Sequence, residues 1–186
     1  MYEILALIGL AVWLGLPAWI ANSMPVLFGG GPPIDGGRMF RDGHRILGNG
    51  KTIRGFIVGV LLGTFTGVGQ NLAASHVQSF IEMYVVVTPD MILILYMPIP
   101  AAFLLSIGAL IGDLVGSFFK RRIDIKSGNP APVLDQLGFI IMALILAAPF
   151  LEAHAIYVMV LVTVTLGIHW ISNALGYLLG LKEHPW

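Results

Sequence analysis

The sequence predicts an all-α integral membrane protein with five transmembrane helices, its N-terminus outside, its C-terminus cytoplasmic and a long cytoplasmic first loop. Three observations carry this expectation. Hydrophobic residues make up 57% of the 186 and charged residues only 11%, against about 25% charged in ordinary globular domains. Apolar runs long enough to cross a bilayer recur along the whole chain, which reads as one domain over 1–186. The basic residues fall on one side if the chain crosses five times. A soluble fold of this composition lacks the polar side chains to cover its surface, whereas a bilayer accepts an apolar exterior. The formal net charge is zero, so no nucleic acid partner is expected. Cysteine is absent, which excludes disulfides and Cys-based metal or redox chemistry.

The first apolar run is Ile4 to Ala21. Glu3 and no basic residue precede it, a pattern that favours a retained span over a cleaved signal peptide. From Asn22 to Lys51 the chain turns polar and rich in Gly and Pro, which predicts a membrane-surface loop. The second span covers Ile53 to Ala74. Its Gly55, Gly59, Gly63 and Gly67 recur every fourth residue, lining one helical face for close approach of a neighbour. The third span is expected from Met91 to Phe119 as one tilted helix bent at Pro98 and Pro100, with two short re-entrant pieces as the alternative. The fourth is Pro132 to Phe150 and the fifth Ala155 to Leu181.

With this count, Arg38, Arg41, Arg45, Lys51, Arg54, Lys120, Arg121, Arg122, Lys126 and Lys182 share one side, and Glu3, Glu82, Asp90 and Glu152 lie on the other. The positive-inside rule then sets the orientation of a multi-pass protein of the cell membrane, its polar chemistry at the cytoplasmic face. Among the lesser polar residues, Gln70 and Asn71 are expected to hydrogen-bond between helices, and His76 and His154 to face solvent. Trp13, Trp19 and Trp170 read as packing or interface anchors. His169 lies within the fifth span, where a polar partner in the bundle is the alternative to simple packing.

The densest polar stretch is "GDLVGSFFKRRIDIKSGNPAPVLDQLGF". Asp113, Ser117 and Lys120 are spaced to lie near one helical face. Asp135 lies just inside the next span, so an antiparallel pair brings the two acids to similar depth. Two carboxylates in a poorly hydrated place repel, and a divalent cation that also binds phosphates resolves that repulsion. Mg²⁺ suits such oxygen ligands. Lys120, Arg121, Arg122 and Lys126 form a cationic rim able to hold phosphates; the same residues can instead serve to set topology and meet anionic headgroups. An acid inside a membrane span is costly, which points to function for Asp113.

The first loop supplies a second cluster. "GNGKTIRG" lacks the GxxxxGK[ST] order of a P-loop, yet Asn49, Lys51, Thr52 and Arg54 can cradle a nucleotide at the helix beginning near Thr52. Asp35 and Arg38 are candidates for the same site, or for a local salt bridge that orders the loop.

At "GDLVGSFFKRR", Lys126 and "PVLDQLGF", the chain resembles the CDP-archaeol synthase family, integral membrane cytidylyltransferases related to the CDP-diacylglycerol synthases. The resemblance covers essentially the whole chain, including "PIDGGRMFRDGHRILGNGKTIRG" in the first loop. Asp113, Ser117, Lys120, Arg121, Lys126 and Asp135 match the wider synthase signature in position and order. Gln136 stands where that signature has Arg, and Gly138 where it has its final Asp, departures that suit the archaeal branch.

The resemblance implies transfer of the cytidylyl group of CTP to 2,3-di-O-geranylgeranyl-sn-glycerol 1-phosphate, with pyrophosphate released. It implies Mg²⁺ on Asp113 and Asp135, phosphates on Lys120, Arg121 and Lys126, and Ser117 as a hydrogen-bonding residue. Membrane lipids and a polyprenyl ether-lipid phosphate are the partners expected beside CTP. A transporter using Asp113 and Asp135 as pathway residues is the rival reading, but the polar groups gather at one face and form no chain across the bilayer.

Overall fold

The computed structural model describes residues 1–178 apart from Pro130 and Pro132, and not the side chains of Ser172, Asn173 and Gly176. Lys182 and the end of the expected fifth span lie outside the described residues. Six α-helices follow in order: α1 (Tyr2–Phe28), α2 (Ile53–Glu82), α3 (Pro89–Leu95), α4 (Ile99–Arg122), α5 (Leu134–Ala147) and α6 (Ala155–Leu178). A 3-10 turn, Ala148–Phe150, extends α5. Among the described residues β-structure is limited to two isolated bridges, Pro33 with Thr52 and Met39 with Arg45.

By length and composition α1, α2 and α4 can each cross a membrane, while Leu134–Phe150 and Ala155–Ile171 are shorter apolar helices of 10–17 residues. Helix α1 packs on α2, α4 and α6, and α5 lies along α4. Side chains facing out of the bundle are apolar: Ile57, Leu61, Phe65 and Leu72 on α2 are all exposed by half or more. Such a surface suits hydrocarbon and not water.

The third predicted span is corrected. It is neither one bent helix nor two short pieces, because the chain leaves helix at Tyr96–Pro98 and α4 runs unbroken for 24 residues, about 36 Å of rise. Pro98 is the N-cap of α4 and Pro100 sits in its first turn. There the missing N–H would have had no helical partner, so of the two effects expected of these prolines, bending or interrupting, they interrupt the run and start a new helix.

The glycine stripe of α2 behaves as its spacing predicts. A Cβ on Gly59 would come within 2.6 Å of the carbonyl oxygen of Ala21, and one on Gly63 within 2.6 Å of that of Pro17. At Gly67 it would strike the side chain of Ala102. Helices α1 and α4 therefore rest directly on α2 backbone. Gln70 bridges α2 to α1 as expected, its Nε2 donating to the Trp13 carbonyl at 2.6 Å, whereas Asn71 Nδ2 donates at 3.1 Å to the carbonyl of Met97 in the link between α3 and α4. Trp13 and Trp19 anchor α1 by donating to Leu95 O and Thr165 Oγ1.

Between α4 and α5 the same device sets register. A Cβ on Gly112 would meet Gly138 O and Phe139 Cα, and one on Gly116 would touch the side chain of Leu134. In that antiparallel register Asp113 and Asp135 differ in depth by about two residues, roughly 3 Å along the axis.

Replacing Gly63 by Leu is expected to lower the thermal midpoint in detergent, at a cost of about 1–3 kcal/mol for overpacking. Gly69→Ala, where a Cβ meets nothing within 4 Å, should leave the midpoint unchanged or raise it slightly. Equal midpoints for the two variants would show that the α2 face is not packed this way.

Candidate functional site

The first loop, the end of α4 and the start of α5 meet at one end of the bundle. The loop is ordered from within by Asp35, whose side chain is fully shielded from solvent. Its carboxylate accepts from Arg45 Nη2 at 2.8 Å, Arg45 Nε at 3.3 Å, and the backbone N–H groups of Gly37, Leu47 and Gly48 at 3.0–3.1 Å. Burial pushes the Asp35 carboxyl up, but the Arg45 guanidinium and the three backbone donors outweigh it and hold the group well below its ordinary 3.8. This corrects two expectations. The partner of Asp35 is Arg45 and not Arg38, and a carboxylate with every lone pair engaged orders the loop in place of binding a ligand. Arg38 itself is exposed and contributes its backbone, donating to Asp35 O and accepting from Ile46 N.

Arg45 comes back to Asp35 because residues 38–46 form a small hairpin. Phe40 N donates to His44 O, and Asp42 Oδ1 accepts from His44 N across the Asp42-Gly43 turn, a sequence pair that favours tight hairpins. That pair was the signal available in the sequence. Thr52 is also structural: it is buried and its Oγ1 accepts from Gly55 N at 3.1 Å, capping α2. Arg54 is exposed in the first turn of α2.

Arg122 fixes this loop to the bundle, a contact that the sequence reading, which weighed a phosphate-holding rim against topogenic charge, did not anticipate. Its guanidinium carbon lies 4.2 Å from the ring centroid of Phe118 and 4.8 Å from that of Phe40. Nη2 donates to Arg45 O at 2.7 Å, and Nε lies 2.6 Å from Asp42 Oδ2 as an ionic contact without hydrogen-bond alignment. A second link pairs His44 Nδ1 with Asp124 Oδ1 at 3.3 Å. A third is contact of Gly48 with Ser127, so close that a Cβ on Gly48 would lie 2.9 Å from Ser127 Oγ.

Docked in this way, the two loops enclose a polar cleft of about 320 Å³ lined by His44, Arg45, Gly48, Asn49, Arg121, Asp124, Ile125, Lys126 and Ser127. Asn49 and Lys126 reach it from opposite loops. Arg121 is only 7% exposed, and its buried Nε has no hydrogen-bond partner. A desolvated guanidinium nitrogen without a hydrogen bond is costly, and the acid that interacts electrostatically with this guanidinium is Asp135. Each of the two acids carries a lysine. Lys51 Nζ is 2.5 Å from Asp113 Oδ2, and Lys120 Nζ is 2.8 Å from Asp135 Oδ1. Asp135 Oδ2 also accepts from Ala131 N at 2.8 Å, and Lys120 reaches Asn129 O at 3.3 Å. Ser117 is buried on α4, one turn beyond Asp113.

Among the described residues no group of three His, Cys, Asp or Glu could hold a metal. Asp113 and Asp135 supply carboxylate oxygens from the packed helices α4 and α5, and Asp124 lines the cleft itself; one or two carboxylates are what a divalent cation takes from protein when phosphates complete its shell. A larger hollow of about 490 Å³ lies at the other end of α1, between Tyr2, Trp13, Phe80 and Tyr84. It is almost wholly apolar, whereas the smaller cleft is lined by charged and polar side chains.

An apolar helical bundle carrying a cation-rich cleft and paired acids at one end defines a membrane enzyme that handles phosphates. A family model described as CarS-like, CDP-archaeol synthase, matches residues 2–186. The CDP-archaeol synthase of Thermococcus kodakarensis is 51% identical over 176 residues, 95% of each chain. That of Methanopyrus kandleri is 46% identical over 183 residues, covering 96% of this chain and 94% of the relative. A solved structure, described as an intramembrane enzyme for archaeal membrane lipids biosynthesis, superposes with a TM-score of 0.68 at 37% identity, over 88% of this chain and 92% of its own. The chain belongs to the CDP-archaeol synthase family.

Asp35→Asn should loosen the first loop by about 1–3 kcal/mol, the cost of hydrogen bonds to a buried charge, Arg45 itself being partly exposed, seen as faster amide exchange over residues 36–48. Because the folded carboxyl titrates below the unfolded one, its stabilisation is complete above about pH 4. It is lost as pH falls through the lower folded value, so wild type and variant should converge only in strong acid. Arg122→Lys should speed exchange in the same segment, since an ammonium cannot stack on both rings and bond Arg45 O together; unchanged exchange would remove Arg122 from the docking.

Proposed function

We propose that the chain transfers the cytidylyl group of CTP to 2,3-di-O-geranylgeranyl-sn-glycerol 1-phosphate, forming unsaturated CDP-archaeol and pyrophosphate in archaeal membrane lipid synthesis. The observation that carries this reading is the buried Arg121, its Nε without a hydrogen bond, on a polar cleft with Asp135 as its electrostatic neighbour, at the edge of an otherwise apolar bundle. A lipid phosphate held in the bilayer and a water-soluble nucleotide can meet only at such a boundary. Both substrates are phosphate-rich anions, and the cleft is lined by the cations that bind them.

In this reading Arg121 and Lys126 hold the nucleotide phosphates, with Asn49 at the cleft wall. Lys51 and Lys120 lie beside the reacting groups and offset negative charge as it develops. Ser117, buried one turn from Asp113, donates a hydrogen bond to a phosphate or to a metal-bound water. Asp113 and Asp135 would hold Mg²⁺, which would supply Lewis-acid charge to offset that of the phosphates. The lipid phosphate is already ionised near neutral pH. An oxygen of it bonds to the α-phosphorus of CTP as the bond to the β-phosphate oxygen breaks, so no side-chain nucleophile is required.

The whole chain, 1–186, acts as one catalytic domain crossing the cell membrane five times. Its basic loops are cytoplasmic and its N-terminus outside, as the charge distribution favours. A transport pathway gains no support, since Gln70 and Asn71, the polar residues midway along the bundle, are engaged in helix contacts.

Purified protein in lipid, given CTP, Mg²⁺ and the unsaturated ether-lipid phosphate, should release pyrophosphate only when both substrates are present. Asp113→Asn and Asp135→Asn are each expected to lower the rate at least about 100-fold, on the scale of losing a transition-state charge contact. Release that persists without lipid phosphate, or survives both substitutions, would sink the assignment.

A further inference from the structure

The two carboxylates assigned to the metal do not stand free: each carries its own lysine. Lys51, in the loop just before α2, meets Asp113 of α4, and Lys120 of α4 meets Asp135 of α5 through both carboxylate oxygens at 2.8 and 3.0 Å. All four side chains are largely shielded, with exposures of 28% and 29% in the first pair and 12% and 27% in the second. The charge around the second pair leans positive: Arg121 is buried next to Asp135 with no hydrogen bond on its Nε, and Arg45 and Lys126 line the adjoining cleft against the single acid Asp124.

We propose that Lys51 and Lys120 are resident counter-cations that keep free divalent metal off Asp113 and Asp135 until a nucleotide triphosphate arrives, so that metal and nucleotide bind as one cooperative event. The inference rests on the reading of the cleft as a nucleotide site. A metal ion arriving alone must displace an ammonium that then has no anion to go to, in a place already rich in cations. When a triphosphate arrives, its oxygens become the new partners of both ammoniums. Two lysine–carboxylate pairs are exchanged for lysine–phosphate and metal–carboxylate pairs, with no charge left unpaired. By linkage the metal then strengthens nucleotide binding by the same factor as nucleotide strengthens metal binding.

The residue types suit an exchange. Lysine is a compact charge on a flexible stem that can turn from one oxygen to another. The arginine that must not move, Arg122, is locked between two rings instead. The two lysines differ in what they carry: Lys51 follows directly on the Gly48–Gly50 turn that faces Ser127, so its shift brings the first loop with it, whereas Lys120 is tethered to Asn129 O.

The test is direct Mn²⁺ titration of the purified chain in detergent, followed by electron paramagnetic resonance, with and without saturating CTP. Wild type should bind Mn²⁺ weakly alone and much more tightly with CTP. Lys51→Met should bind Mn²⁺ without nucleotide about 10-fold more tightly than wild type, and the gain from CTP should shrink by a similar factor, within the usual range of coupling. Lys120→Met should shift in the same direction, which keeps the test alive if one variant fails to fold. Lys51→Arg, which restores a cation, should return nucleotide-free affinity to the wild-type level, and Asp113→Asn should abolish the gain.

Nucleotide-free Mn²⁺ affinity that is unchanged or weaker in both Met variants overturns the proposal, while wild type that still binds CTP and releases pyrophosphate keeps the function intact. Failure of wild type to bind CTP at any Mn²⁺ concentration removes the nucleotide reading, and this inference with it.

Discussion

Arg122 is the centre of the contacts that join two parts of the molecule, with His44–Asp124, Gly48–Ser127 and Lys51–Asp113 around it. The helix bundle ends in the basic turn of α4, and the first loop, poor in apolar side chains, has no core of its own. One planar guanidinium lies close to Phe118 of the helix and Phe40 of the loop, bonds the carbonyl of Arg45 and contacts Asp42. Cation–π contacts and a directed hydrogen bond from one group tie the loop in both position and orientation. Arg45, held on its backbone side by Arg122, reaches Asp35 with its side chain, so the docking contact and the network that shapes the loop are continuous. The cleft exists because these contacts face the loop toward residues 124–127.

The other half of the site depends on glycine. Close backbone contact between α4 and α5 sets the depth of Asp113 against Asp135, and the stripe on α2 lets α1 and α4 approach until Pro17, Ala21 and Ala102 touch its backbone. In a bilayer, where apolar burial gives little preference for one helix neighbour over another, such close packing is what chooses partners. The acids then sit where hydration is poor, and their charges require cations. Lys51 and Lys120 meet that requirement in the ligand-free protein, and the substrate's own chemistry can replace them.

Much of the helix content was legible from periodicity and composition. The long apolar α1, α2 and α4 follow from their runs of residues, and the face formed by Gly55, Gly59, Gly63 and Gly67 from its spacing. Pro98 and Pro100 marked a disturbance of the helix but not its kind, because a proline's effect depends on whether it falls inside a helix or at its first turn, which local sequence does not state. The gathering of Asp113, Lys120, Arg121 and Asp135 near one end could be argued from chain order alone. The pairing within it could not, since Lys51 lies 62 positions from Asp113 and only docking of the first loop brings them together. Asp35 illustrates the same gap: Arg38 was the nearer cation in sequence, but the hairpin turn at Asp42-Gly43 returned Arg45 to it.

The amino-acid sequence by itself determined that this chain is helical and suited to lipid, and that its cations collect in two segments; its motifs also marked the family to which it belongs. These are properties of composition, period and order, and a linear chain carries them in full. Tertiary structure alone decided that Asp35 and Thr52 shape the loop while Arg121 Nε is left without a hydrogen bond on the cleft, and that each acid holds a lysine. Those outcomes turn on which hydrogen-bonding and charged groups are satisfied, and satisfaction depends on the approach of segments far apart in sequence.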